Sequence, residues 1–198
     1  MKGSGTAVVF VDSNVLYSKT LLDWLALIYV SNTSEPPYVV HWSDDVMAEA
    51  MHHLRKANPG WSGGQIARFR ERLEETFEVG HVRDYAVDTS YAGPDPDDAH
   101  VHAAAAACQA DYLLTCNVRH FRTGADELPY EVVSPDEFFV LVDDVAPRVV
   151  YAVVGEQISH WMKKSRDVDL VGALQRAGCP DFAARVLGHL RRRAMVGS

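Results

Sequence analysis

The sequence predicts an α/β fold built on a small, mainly parallel sheet, and three observations predict it. Ala7-Val8-Val9-Phe10-Val11 is a continuous apolar run that stops at Asp12, the pattern of a strand buried on both faces. From there to about residue 144, helical spacings alternate with short apolar runs, as they do in βαβ units. From Val145 onward no strand pattern occurs, so a helical extension over 145–198 is expected beside a domain over 1–144.

The elements follow in order. After the first strand, Ser13 or Asn14 can cap a helix whose Leu16, Leu21, Leu22, Leu25 and Ile28 keep rough helical spacing. Ser31 to Pro37 reads as a loop, and Tyr38 to Trp42 as a short strand. Ser43 with Asp44 and Asp45 opens a second helix through about Ala57, which Asn58-Pro59-Gly60 ends. Ser62 to Phe77 is a third helix with a charged outer side, and Tyr85 to Asp88 is expected as a short strand. Gly93-Pro94-Asp95-Pro96-Asp97-Asp98 enters a helix over about Asp97 to Gln109, with carboxylates placed to favour its N-terminal dipole. Its five consecutive alanines, Ala103 to Ala107, permit close approach to a sheet or another helix. Asp111 to Thr115 and Tyr130 to Val133 are the remaining strands. Ser134-Pro135-Asp136-Glu137 has the spacing of a capping box and opens a helix to about Asp144. Val149 to Lys163 and Asp181 to Arg193 supply two or three more helices.

Composition narrows the function. With 198 residues, 47% of them hydrophobic and 23% charged, the chain can bury one sizeable core without staples. Cys108, Cys116 and Cys179 lack C-x-x-C spacing, which indicates neither a disulfide framework nor a structural zinc. The polar start lacks a signal-peptide core, and the apolar stretch Leu21 to Val30 is interrupted by Asp23, so a soluble, cytoplasmic protein without a membrane partner is expected. The net charge of -8 excludes a protein that coats nucleic acid broadly. That charge is uneven: residues 148–198 hold nine basic against four acidic residues, while residues 1–147 hold 10 against 23.

In parallel sheets, functional groups collect at the carboxyl ends of strands and the adjoining helix starts. Asp12 ends the first strand, Asp98 lies at the start of the alanine-rich helix, and Glu49 sits about two turns into the second helix. Thr115 and Asn117 follow the strand Tyr112 to Leu114. Singly, Asp12 and Asp98 can each be a helix cap. Converging, three carboxylates repel by ~4 kcal/mol per close pair at an effective dielectric near 20. Such a cluster persists with protonation or bound cations, and all-oxygen donors favour Mg²⁺ or Mn²⁺ over zinc. The matching chemistry is metal-assisted phosphodiester hydrolysis.

Val11-Asp12-Ser13-Asn14-Val15-Leu16, Val46-Met47-Ala48-Glu49-Ala50, Asp98-Ala99, and Leu113-Leu114-Thr115-Cys116-Asn117-Val118-Arg119-His120-Phe121 together carry a family likeness. In this order and spacing, over about residues 6 to 143, the chain resembles a PIN-domain ribonuclease, in particular the VapC-type toxins of bacterial toxin–antitoxin pairs. The resemblance implies a PIN-like three-layer α/β/α fold and a Mg²⁺- or Mn²⁺-dependent endoribonuclease acting on RNA. It further implies inhibition by a cognate antitoxin and products with 5′-phosphate and 3′-hydroxyl ends. Asp12, Glu49 and Asp98 would be the acidic metal-holding triad, Asn14 would order the site, and Thr115 would buttress it. Asn117 stands where the family often has a fourth acidic residue, and it brings an amide in place of a charge. Two alternatives remain: an inactive PIN-fold scaffold, or a DNA-processing nuclease of the same fold.

Other candidates rank lower. Arg119 and His120 follow the site strand and can contact RNA, as can His100, although a surface or packing role suits His100 better. His100 and His102 are two apart on a helix and make a poor chelate. Asp95 and Asp97 can assist a second cation, Asp45 rivals Glu49, and Cys116 has no evident base to activate it. Lys163, Lys164, Arg166 and Arg191-Arg192-Arg193 can meet phosphates or an acidic partner, and the terminal helices can support a homodimer.

Overall fold

The computed structural model describes residues 6–31, 36–88, 91, 93–122, 128–162 and 169–196. Contacts within the chain divide it into two compact units, Met1–Ser18 with Tyr38–Ser134, and Lys19–Pro37 with Pro135–Ser198.

The first unit is the α/β body. It contains β1 (Ala7–Val11), the short α1 (Ser13–Leu16), β2 (Tyr38–Ser43), α3 (Asp44–Ala57), α4 (Gly63–Thr76), β3 (His81–Val82), α5 (Ala99–Ala107), β4 (Tyr112–Leu114), α6 (Val118–Arg122) and β5 (Glu131–Val133). α2 (Lys19–Val30) belongs to the second unit. The five strands are all parallel in the order β3-β2-β1-β4-β5. An all-parallel sheet whose strands are joined by helices is the α/β architecture expected. Val9, Phe10, Val11, Leu113 and Leu114 are fully buried, as central parallel strands require. Ser43 Oγ accepts from the Val46 amide to cap α3, and Ser62 with Gln65 forms a complete capping box at α4.

Three expectations shift. The first helix breaks at Tyr17–Ser18, and the Tyr17 amide closes α1 on the Ser13 carbonyl. The break is functional in packing terms, because α1 and α2 serve different units. Residues 85–88 are not a strand; the edge strand is His81–Val82, paired with Trp42 and Ser43. There the His81 ring stacks on Trp42 at 4.1 Å, and the Trp42 indole donates to the Phe77 carbonyl at 3.0 Å. Gly80 lets the chain pass so close to β2 that an added Cβ would lie 1.7 Å from the Val40 carbonyl oxygen. The alanine-rich helix starts at Ala99, after a 3-10 turn over Pro96–Asp98.

The second unit is helical, built from α2, α7 (Pro135–Val145), α8 (Pro147–Met162), α9 (Leu170–Arg176) and α10 (Pro180–Val196). The boundary expected at 144/145 therefore falls at 134/135, because α7 packs on α8 and α10, and residues 19–37 join it from the N-terminal side. Its core stacks Phe139 on Phe182 at 5.0 Å, and Trp24 of α2 meets Phe182 edge-on at 5.1 Å. Asp136 of α7 accepts from the Asp181 and Phe182 amides at 3.2 and 2.8 Å, capping α10 from another helix. The basic candidates Lys163, Lys164 and Arg166 lie outside the described residues. Among the described residues no helix is long and apolar enough to cross a membrane.

Candidate metal centre

Strand order decides where this site lies. The chain lays down β1 in the middle, moves outward through β2 and β3, then crosses back to add β4 and β5 on the other side. The carboxyl ends of β1 and β4 therefore flank the point where the winding reverses, the preferred ligand crevice of such sheets. Register does the rest: Val11 pairs with Leu114, so the next residues, Asp12 and Thr115, emerge side by side.

Asp12 is 3% exposed, and its Oδ2 accepts from the Thr115 hydroxyl and the Asn14 amide, both at 2.6 Å. Asn14 Nδ2 also donates to Thr115 Oγ1 at 3.1 Å, and its Oδ1 accepts from the Cys116 amide at 2.9 Å. Thr115 Oγ1 in turn accepts from the Asn117 amide at 2.9 Å. This network holds the carboxylate through Oδ2 without supplying a positive charge. Burial accordingly holds the Asp12 carboxyl above its ordinary range, bonds from Thr115 and Ser13 pull it back in part, and the charge of Glu49 adds to the rise.

Asp98 precedes α5, and Asp12 precedes α1, yet neither carboxylate caps its helix. The Asp98 carboxyl is also raised, first by desolvation, with the charges of Asp12 and Asp95 adding and a bond from His120 opposing. His120 Nδ1 lies 2.8 Å from Asp98 Oδ2, and 4.0 Å from Asp95. Glu49 is joined to His100, whose Nε2 lies 3.0 Å from Glu49 Oε1. The rival Asp45 turns elsewhere, accepting from the Tyr85 hydroxyl. Asp12, Glu49 and Asp98 thus share one electrostatic neighbourhood, but the two flanking carboxylates lean on histidines. Among the described residues, the metal-type donors that lie within 4.8 Å of one another are those of Asp95, Asp98 and His120.

Asn117 and Arg119 are exposed just beyond this cluster, and the Asn117 carbonyl accepts from the His120 amide at the start of α6. The Cys116 thiol is pushed up to about 11 by desolvation and the nearby Asp12 charge, so it stays protonated and unfit as a nucleophile at neutral pH. Sequence reasoning missed Tyr91, whose hydroxyl donates to the His120 carbonyl at 3.2 Å. Its phenol is raised to about 12 by desolvation and by Asp98, Asp95 and Asp12. A lone aromatic ahead of Gly93-Pro94 left no periodic signal. The oxygen donors of Asp12, Glu49 and Asp98 suit a hard divalent cation, which would stabilise the ionised form that burial, and to a smaller extent their mutual charge, opposes at Asp12 and Asp98.

Comparison with known proteins adds one likeness. No curated protein matches the chain, and no solved structure does. Residues 135–188 match the family described as the VapC50 C-terminal domain. That match covers about a quarter of the chain, begins at Pro135 where the second unit resumes, and stays within it. Residues 135–188 of the helical unit are therefore similar to the VapC50 C-terminal domain.

Proposed function

We propose that the chain is a Mg²⁺- or Mn²⁺-dependent endoribonuclease and the toxin of a toxin–antitoxin pair. The observation that carries the reading is the buried Asp12, not used as a cap and held by Thr115 and Asn14 at the winding reversal, within electrostatic reach of Glu49 and Asp98. The likeness of residues 135–188 to a VapC C-terminal domain supports the toxin assignment.

Asp12, Glu49 and Asp98 would hold the cation. A bound divalent ion supplies an ionised water at neutral pH and offsets charge on the scissile phosphate. Thr115 and Asn14 keep Asp12 Oδ2 in one orientation, so the ligand is organised before the cation arrives. Asn117 is tied to Thr115 through its backbone amide, and His120 holds Asp98 through Nδ1. Attack forms a bond from water oxygen to phosphorus and breaks the bond from phosphorus to O3′, which takes a proton. A 5′-phosphate and a 3′-hydroxyl result.

The test is RNA cleavage by the full chain with Mn²⁺. Asp12→Asn and Asp98→Asn should each abolish it while circular dichroism stays native. Full activity in a variant carrying both changes would sink the proposal.

A further inference from the structure

The second unit contains a feature that the nuclease site does not use. A cleft of about 500 Å³ is lined by Pro147, Arg148, Tyr151, His189, Arg192 and Met195, within the common range for ligand sites of about 300–1,000 Å³. No carboxylate is among these lining residues.

A buried pair fixes one of its arginines. His189 is 1% exposed, and its Nε2 lies 2.6 Å from Asp143 Oδ1. Arg192 Nη2 lies 2.9 Å from His189 Nδ1. Because a guanidinium can only donate, Nδ1 must accept, which places the imidazole proton on Nε2, donating to Asp143. Arg192 is thus oriented by a ring nitrogen of His189 and not by a carboxylate.

Four other described cations of this unit have partners. Lys19 pairs with Asp23, Arg176 with Asp169, and Arg185 with Asp144 and Asp143. Arg193 donates to the Tyr151 carbonyl at 3.1 Å and lies over the Tyr151 ring, a position open because residue 155 is glycine. Arg148, Arg191 and Arg192 are the described basic side chains of the unit without a carboxylate partner, and two of them line the cleft. The same cleft takes in Pro147 and Arg148, the first two residues of the 16-residue α8, whose N-terminal dipole adds positive potential.

An anion is the complement of that charge, and the wall decides which anion. Pro147, Tyr151 and Met195, the last 79% exposed, set apolar and aromatic surface beside the two guanidinium groups. A carboxylate on a peptide would use the cations and leave this wall uncovered. A nucleotide uses both, its phosphate on the arginine forks and its flat base or ribose on the apolar side. We propose that this cleft binds single-stranded RNA, Arg192 and Arg148 holding a backbone phosphate while the adjoining nucleoside lies against Pro147, Tyr151 and Met195. Taking RNA as the nucleic acid rests on the nuclease reading; the cationic cleft itself does not.

The experiment measures binding of a fluorescent oligouridylate to the full chain in chelator, so that cleavage plays no part. Arg192→Gln and Arg148→Gln should each weaken binding by about 3–10-fold, and each lost phosphate contact should flatten the log–log salt dependence by about 0.7. Arg191→Gln, which removes an unpaired cation outside the cleft, should change affinity less than twofold. Unchanged affinity in both cleft variants would overturn the proposal. So would displacement of the oligouridylate by polyglutamate at equal charge concentration, which would make the cleft a docking site for an acidic protein. Binding is read in chelator and cleavage in Mn²⁺, so loss of this site and loss of cleavage are read separately.

Discussion

Thr115 has one side-chain oxygen and three partners in the site: it donates to Asp12 and accepts from Asn14 and from the Asn117 amide. Thr115→Val keeps the shape and removes all three bonds. It should cost about 1–3 kcal/mol in urea unfolding and reduce Mn²⁺-dependent cleavage, whereas Thr115→Ser should keep most of both. Burial raises the carboxyls of Asp12 and Asp98 above their ordinary value of 3.8. A carboxyl that resists ionisation in the fold favours folding most below that ordinary value, and the advantage fades as pH climbs through the raised one. The metal-free protein should therefore lose stability as pH rises through the carboxylate range. At pH 7 in chelator, Asp12→Asn should melt higher than the parent, and added Mn²⁺ should raise the parent's Tm but not the variant's. A lower-melting variant in chelator would contradict this account. Asp12 and Thr115 were legible in the sequence because strand ends are marked by where apolar runs stop. The pairings of Glu49 with His100 and of Asp98 with His120 were not, since they join residues 51 and 22 apart through tertiary packing.

At the scale of elements, the sequence was most informative where side chains close the backbone locally. Ser43 opens its helix in both sequence and structure, and Ser62, read as the first residue of the next helix, is its N-cap. The edge strand was misplaced because two residues, His81 and Val82, cannot display a period. What sets that strand is non-local: the Trp42–His81 stack and the passage of Gly80 against Val40. Gly80→Ala forces backbone against backbone and should cost at least about 1–3 kcal/mol, measured by thermal or urea unfolding. The cap that Asp136 provides to α10 was equally hidden, because donor and acceptor belong to different helices. Asp136→Ala should destabilise the protein by about 0.5–2 kcal/mol, with little effect on cleavage per folded molecule.

For the molecule as a whole, the net charge of -8 has a sharper address than a split at residue 147 suggested. By unit, the α/β body carries 9 basic and 17 acidic residues, and the helical unit carries 10 of each. The whole excess therefore sits on the unit that holds the proposed metal ligands, while among the described residues of the helical unit Arg148 of α8 and Arg191 and Arg192 of α10 have no carboxylate partner. The fold class was legible because parallel strands and amphipathic helices write their periods locally. The unit boundary was not, because α2 reads as the natural continuation of the helix after β1 and shows its true partners only in three dimensions. One consequence concerns the order of synthesis. Residues 19–30 are made before the sheet is complete, but α8 and α9, on which α2 packs, and Phe182, which Trp24 meets, are made after it. At translation rates of about 5–20 residues per second, the nascent chain carries α2 without these partners while α7 to α10 are made, an interval of roughly 3–13 s. In that interval the sheet segments are already complete in sequence, while α2 still waits for the helices it packs on.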